Sequence, residues 1–176
     1  PAPCELECRR GRADEAVGIN PVKRFLAEQE RRTGRYVQPY RSPDSGHRAA
    51  VIGGGAEGLT VAYFLARLGH RPVIFEAGPE LGGILRTVIS PDRLPPDVLD
   101  HDIAGILDMG VDARCGQRLG RDFGVASLLD EGFDLVVCCT GGYDGRKLLG
   151  LGPDVAVPGL ALMVDVLAAE AAGRAT

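Results

Sequence analysis

The chain has 176 residues, which suggests one domain or one domain with an appendage. An apolar content of 45 % supports a buried core, and a net charge of −4 argues against nucleic acid as a partner. No apolar run reaches the roughly 18–20 residues of a membrane helix, so no membrane span is expected.

The start, PAPCELEC, has neither the charged nor the apolar region of a secretion signal. It also lacks a methionine, so the chain reads as a trimmed protein or a piece of a longer one. Five cysteines, an odd number, argue against a disulfide framework and for a cytoplasmic setting. Charge is unevenly spread. Residues 1–50 hold ten Lys/Arg and seven Asp/Glu, whereas the remainder holds ten and seventeen. With the turn-rich stretch SPDSGH at 42–47, this places a boundary there: a helical linker segment over 1–47 and an α/β domain over 48–176.

In chain order, Cys4 and Cys8 come first, then a basic CRRGR, then a helix over Pro21–Thr33, with Pro21 in its first turn and Gly34 as its stop. Residues 35–48 read as an extended linker. Ala49–Ile52 is a short buried strand and Glu57–Leu68 a helix, with Leu59, Ala62, Tyr63, Leu65 and Ala66 as its apolar positions. Pro72–Glu76 is a second strand. Pro96–Met109 is a helix with Val98, Leu99, Ile103, Ile106 and Leu107 on its apolar face, and Val111–Cys115 is a third strand. A short helix over Ser127–Glu131 precedes Asp134–Cys139, which reads as a fully buried strand, and Leu160–Ala172 is a final helix. Strands alternating with helices imply right-handed crossovers and a Rossmann-like parallel sheet covered on both faces.

Gly53, Gly55 and Gly58 form G-x-G-x-x-G between the first strand and the following helix. Gly53 permits the tight turn, Gly55 lets the backbone approach a pyrophosphate, and Gly58 lets the helix pack close to the strand. The free N–H groups and dipole of that helix then face the phosphates. The second strand ends in Glu76, 18 residues after Gly58, where a carboxylate can accept hydrogen bonds from an adenosine ribose. Glu57 lies inside the turn; a side chain pointing outward is screened by solvent, and one pointing inward weakens affinity for an anion. A plain strand-to-helix turn with an incidental surface glutamate is the competing reading. Two later stretches bear on the ligand: EAGPELGGILR, where Gly82 and Gly83 allow close backbone approach, and DLVVCCTGG, where an apolar strand ends in Thr140-Gly141.

These stretches carry a family resemblance. GGGAEGLTVAYFLARLGH, IFEAGPELGGILR, DRLPPDVLDHDI and CCTGG stand in the order and spacing of the small subunit of glutamate synthase and its relatives, which are pyridine-nucleotide-dependent FAD and iron–sulfur oxidoreductases. PAPCELEC and EAVGINPVKRF resemble the same family's N-terminal segment, so the likeness covers nearly the whole chain. The resemblance implies FAD as cofactor. It places the pyrophosphate on Gly53, Gly55, Ala56, Glu57 and Gly58, the adenosine ribose on Glu76, and the flavin along Gly83, Ile84 and Arg86. The backbone of Leu119 would meet the adenine, and Thr140 and Gly141 would close the crevice. It makes Cys4 and Cys8 iron–sulfur ligands whose companions lie before Pro1, in a complete protein that also binds NAD(P)H and a 4Fe–4S cluster and hands electrons to a partner subunit or domain.

Two departures stand out. Val88-Ile89-Ser90 replaces the family's G-I-P, and Ala56-Glu57 its Pro-Ala. The family's second glycine-rich domain, for NAD(P)H, and its last FAD-binding segment have no counterpart here. Cys115, Cys138 and Cys139, in apolar strands, read as small core residues, and His47, His70 and His101 have no ligand spacing. No side chain is assigned as an acid–base catalyst. Two competing functions remain at this point: a degenerate, non-catalytic flavin-fold docking module, and an NAD-binding dehydrogenase domain.

Overall fold

The computed structural model describes residues 2–34, 37–141 and 163–174. It divides into two compact units, Pro1–Gln38 and Pro39–Thr176.

The first unit is helical. α1 (Pro3–Leu6) and a 3-10 turn (Arg9–Arg12) precede α2 (Ile19–Thr33). Pro21 falls in the first turn of α2, where its missing N–H is no loss, and Gly34 stops the helix at φ 63°. An Arg24–Glu28 pair at 2.8 Å supports the exposed face. No residue of α1 or α2 is buried; Val22, Phe25 and Leu26 are all more than half exposed.

The second unit carries β1 (Arg48–Ile52), α3 (Ala56–Arg67), β2 (Arg71–Glu76), α4 (Ile84–Thr87), α5 (Pro96–Leu107), β3 (Asp112–Cys115), α6 (Val125–Asp130), β4 (Leu135–Cys138) and α7 (Met163–Ala171). The four strands form one parallel sheet in the order β3-β2-β1-β4. Val51 pairs with Ile74 and with Val137, which fixes the register at the centre. Because side chains alternate along a strand, β1 and β2 feed two cores. Val51 and Ile74 pack with Leu59, Ala62 and Ala66 of α3 and with Leu99 and Ile103 of α5. Ala50, Ile52, Val73 and Phe75 point the other way, onto Leu128 of α6 and Phe133. Each such large side chain contributes about 1.5–3 kcal/mol by leaving water.

Several boundaries differ from the sequence reading. Within the 35–48 stretch expected as an extended linker, residues 39–47 are hydrogen-bonded to the second unit: Ser42 N–H donates to Arg67 O (2.8 Å), Ser45 N–H to Gly69 O (2.9 Å), and Asp44 pairs with Arg71. α4 was not expected. Asp134–Cys139 is not fully buried: Leu135 is 47 % exposed and Cys138 is exposed, because β4 is an edge strand that pairs only with β1 among the described residues. Cys115 is likewise exposed on β3, at the opposite edge; of the three cysteines expected in the core, only Cys139 is buried. In the final helix, residues 160–162 lie outside the described residues, and α7 ends at Ala171.

Asp134 secures the start of β4. Its carboxylate accepts the Arg48 N–H at 2.8 Å, while the Arg48 guanidinium reaches Glu131 O and stacks 4.2 Å from the centre of the Phe133 ring. That backbone donor, with the charge of His47, holds the Asp134 carboxyl below its ordinary range.

Candidate dinucleotide-binding site

In the strand order β3-β2-β1-β4 the chain first winds from β1 outward through β2 to β3, then returns to place β4 on the other side of β1. A crevice opens at such a reversal, beyond the carboxyl ends of the strands. The glycine turn Gly53–Gly58 sits at that point.

Its geometry is set by close contacts. Gly53 adopts φ 109°, a region costly for any residue with a Cβ, and a Cβ there would overlap Cys139 O. A Cβ on Gly58 would overlap Gly53 O, so α3 and β1 approach closely only with glycine at this position. Gly55 differs. Among the described residues, a Cβ on it would meet nothing nearer than Gly83 Cα at 4.0 Å, so none of them fills the space in front of its backbone. α3 begins at Ala56, and no side chain caps its N-terminus. Ala56 and Glu57 are both exposed. An open backbone cradle at an uncapped helix N-terminus has the chemistry to hold a pyrophosphate.

Glu76 is fastened to this turn. One carboxylate oxygen accepts the Gly54 N–H and the other the Gly78 N–H, each at 2.6 Å. The carboxylate is thus fixed beside the turn. Gly54, a middle position of the motif with no role expected from its spacing, is held on one side by Glu76 and on the other by Leu81; a Cβ there would lie 3.1 Å from the Glu76 carboxylate and would overlap Leu81. The run of three glycines was the available signal.

The segment after β2 folds back over the turn. Gly82 N–H donates to Gly54 O at 2.8 Å, and Gly83, at φ 51°, lies so near Gly55 that a Cβ would come 2.9 Å from Gly55 Cα. Ile84 opens α4. Arg86, expected to run along a bound flavin, has its side chain engaged within the protein: Nε donates to Leu81 O (2.8 Å), and the guanidinium pairs with Asp100 Oδ1 (2.5 Å) and Glu80 (3.4 Å). Val88, where the resembled family has glycine, sits at φ −121°, so the backbone places no demand for glycine there.

Leu119 is half-buried. It bridges to Phe123 and packs against the core that includes Phe75. The segment leading to it is nonetheless tied to the end of β2: Gly116 N–H donates to Gly78 O and Gln117 N–H to Glu76 O. Thr140 and Gly141 are exposed at the end of β4, next to the Gly53 bend. Buried Cys139 below them has its thiol pushed up, first by burial and then by the charge of Glu57. The turn, Glu76, Gly83, Ile84, Thr140 and Gly141 therefore cluster at one end of the sheet, while the side chains of Arg86 and Leu119 are occupied elsewhere.

Cys4 and Cys8 lie in the first unit. Cys4 is exposed; Cys8 is half-buried beside a cavity of about 340 Å³ lined in part by Glu5, Leu6, Gly11 and Ala16. The Val17 N–H points at the Cys8 sulfur (3.5 Å), and with the backbone of Gly11 and Arg10 it lowers the thiol's pKa. That favours the thiolate, the form that binds metal. Among the described residues no three His, Cys, Asp or Glu side chains converge as metal ligands. No described helix is long and apolar enough to cross a membrane.

Sheet, turn and carboxylate together define a Rossmann-like dinucleotide-binding domain. Residues 51–114 match the family model of NAD(P)-binding Rossmann-like domains. The fold is shared with FprA, a Mycobacterium tuberculosis oxidoreductase, at a TM-score of 0.55 over 73 % of this chain and 29 % of that one, with 16 % identity. In sequence, the chain is 33 % identical to the beta subunit of the NADP(+)-dependent formate dehydrogenase of Moorella thermoacetica, over 93 % of its own length and 27 % of that subunit. It is also 33 % identical to the glutamate synthase [NADPH] small chain of Bacillus subtilis, over 88 % of its own length and 31 % of that protein. The chain is thus a relative of the glutamate synthase small chain and of other NAD(P)-dependent oxidoreductase subunits, as its motifs indicate. It spans about a quarter to a third of the length of these curated relatives.

Proposed function

We propose that this chain is the FAD-binding segment of an NAD(P)H-dependent oxidoreductase that passes electrons to iron–sulfur centres or a partner subunit. The observation that carries the reading is the empty space in front of Gly55, at an uncapped helix N-terminus and beside a carboxylate fixed on the same turn. The backbone of Gly53, Gly55, Ala56, Glu57 and Gly58 would hold the pyrophosphate, and Glu76 would turn its carboxylate from the Gly54 amide to the ribose hydroxyls. Gly83 and Ile84 would border the flavin side, Leu119 the adenine, and Thr140 and Gly141 the crevice wall. FAD supplies the conversion of a two-electron hydride into single electrons, while the residues here bind, orient and shield it. Cys4 and Cys8 would contribute two thiolates to a 4Fe–4S cluster, with the stabilised Cys8 thiolate as support. Five free cysteines suit a reducing, cytoplasmic setting.

The purified chain is expected to retain or take up FAD, read by its visible absorption. Gly55→Ala should lower that affinity at least tenfold while leaving the melting temperature nearly unchanged, since a methyl there meets only the ligand's space. A colourless protein that binds no added FAD overturns the reading. The description of the matched family as NAD(P)-binding favours a second reading, in which the turn holds a nicotinamide dinucleotide. Preferential retention of NAD(P) over FAD would establish it.

A further inference from the structure

Two parts of the sequence remain without a task in that reading: the Arg86 side chain and the acidic residue of Val98-Leu99-Asp100 on α5. The structure joins them. The Arg86 guanidinium, with its side chain only 24 % exposed, binds Asp100 Oδ1 at 2.5 Å, faces Glu80 at 3.4 Å and donates through Nε to Leu81 O at 2.8 Å. Leu81 immediately precedes Gly82-Gly83, the pair that lies on the glycine turn. Arg86 also forms the floor of Gly82: a Cβ there would lie 3.3 Å from Arg86 Cβ and 3.2 Å from Leu99. One side chain therefore spans the double-glycine loop, its own helix α4 and the packed helix α5, whose Leu99 and Ile103 belong to the core under β1 and β2.

We infer that Arg86 and Asp100 form a clamp that seats Gly82-Gly83 on the glycine turn and thereby sets dinucleotide affinity without touching the ligand. The physical need is clear from the contacts. The two glycines meet the turn through a hydrogen bond, Gly82 to Gly54, and a van der Waals contact, Gly83 to Gly55, beside the packing of buried Leu81 on Gly54. Two glycines at positive φ have no side chains of their own to hold them, so the anchoring must come from neighbours. An arginine suits the task because its planar fork can serve a carbonyl and a carboxylate at once. Without the clamp the loop samples other positions, and apparent affinity falls by the fraction of time the seated arrangement is lost; a loop seated one-tenth of the time weakens binding about tenfold. The affinity half of this inference rests on the proposed dinucleotide site, whereas the seating of the loop does not.

The test uses the full chain and two readouts. Amide hydrogen exchange at Gly82 in ligand-free protein reports the seat, and titration with FAD reports affinity. Arg86→Met is expected to speed Gly82 exchange and weaken FAD binding about tenfold, with the β1 and β2 amides still protected. Asp100→Asn should do both to a smaller degree and carries the test should Arg86→Met not fold. The double variant should be no worse than Arg86→Met, because both residues act through one clamp. Unchanged Gly82 exchange in Asp100→Asn and Arg86→Met overturns the clamp. Faster exchange with unchanged FAD affinity overturns its role in binding. A wild-type chain that binds no dinucleotide overturns the proposed site and the affinity half together, while exchange at Gly82 still decides the clamp.

Discussion

The helix α2 and the glycine turn are held by opposite means. α2 depends on neighbours a few residues away: a proline in its first turn, the Arg24–Glu28 pair, the Thr33 hydroxyl on Gln29 O and the Gly34 stop. None of its residues is buried. The turn depends on residues far along the chain. Gly53 is confined by Cys139, Gly54 by Glu76 and Leu81, and Gly55, among the described residues, is met by Gly83 alone. A local element tolerates change one residue at a time, whereas a turn built of distant contacts transmits each change to the sheet and the crevice.

The largest expected break is Gly58→Ala. The new methyl would overlap Gly53 O, forcing α3 away from β1 at a cost of about 3 kcal/mol. In a chain of this size that lowers the melting temperature by about 6–12 °C, and calorimetry showing a wild-type value would disprove so close an approach.

Glu76→Ala comes next. It leaves the Gly54 and Gly78 N–H groups without their charged acceptor in a partly buried place, which costs about 2 kcal/mol in urea unfolding. A loss below about 0.5 kcal/mol would show that water replaces the carboxylate fully.

A smaller contrast concerns two thiols, one in each unit. Backbone N–H groups, led by that of Val17, lower the pKa of Cys8. Partial burial, then the charges of Glu76 and Glu80, raise that of Cys115. Alkylation follows the thiolate, so the iodoacetamide rate at Cys8 should rise at lower pH than at Cys115, measured peptide by peptide by mass spectrometry. The reverse order would contradict both assignments.

The smallest effect sharpens the comparison from the other side. Phe25→Ala on α2 should change stability by no more than about 0.5 kcal/mol in urea, because that ring is 58 % exposed. A loss of about 2 kcal/mol or more, of the size that core truncations cause, would mean that α2 is packed in solution.

Much of the fold was legible because its signals are local. Apolar runs bounded by glycines mark β1, β2 and β4, and the 3.6-residue pattern of Leu59, Ala62 and Ala66 marks α3. The site was legible where a motif fixes spacing: Gly53, Gly55, Gly58 and Glu76 do meet at one end of the sheet. It was not legible where the partner lies far off. The place of Gly54 needs Glu76 and Leu81 on either side of it, and the engagement of Arg86 needs α5 beside α4. Cys138 was misjudged because an apolar strand sequence does not say whether the strand is central or at an edge, and β4 is at an edge among the described residues; Cys115 lies on β3, whose Asp112 and Arg114 already make it a polar, exposed strand.

By itself, then, the sequence determined the alternation of the main strands and helices, the parallel Rossmann-like plan, and the spacing that brings the glycine turn and Glu76 together. These follow from backbone sterics and hydrophobic periodicity, which act over a few residues. Tertiary structure alone decided which strands lie at the edges among the described residues, that the Glu76 carboxylate holds the Gly54 and Gly78 amides, and that the Arg86 guanidinium meets Leu81 O and Asp100. Each of these depends on which distant atom fills the neighbouring space, and only packing of the complete sheet and its helices supplies that atom.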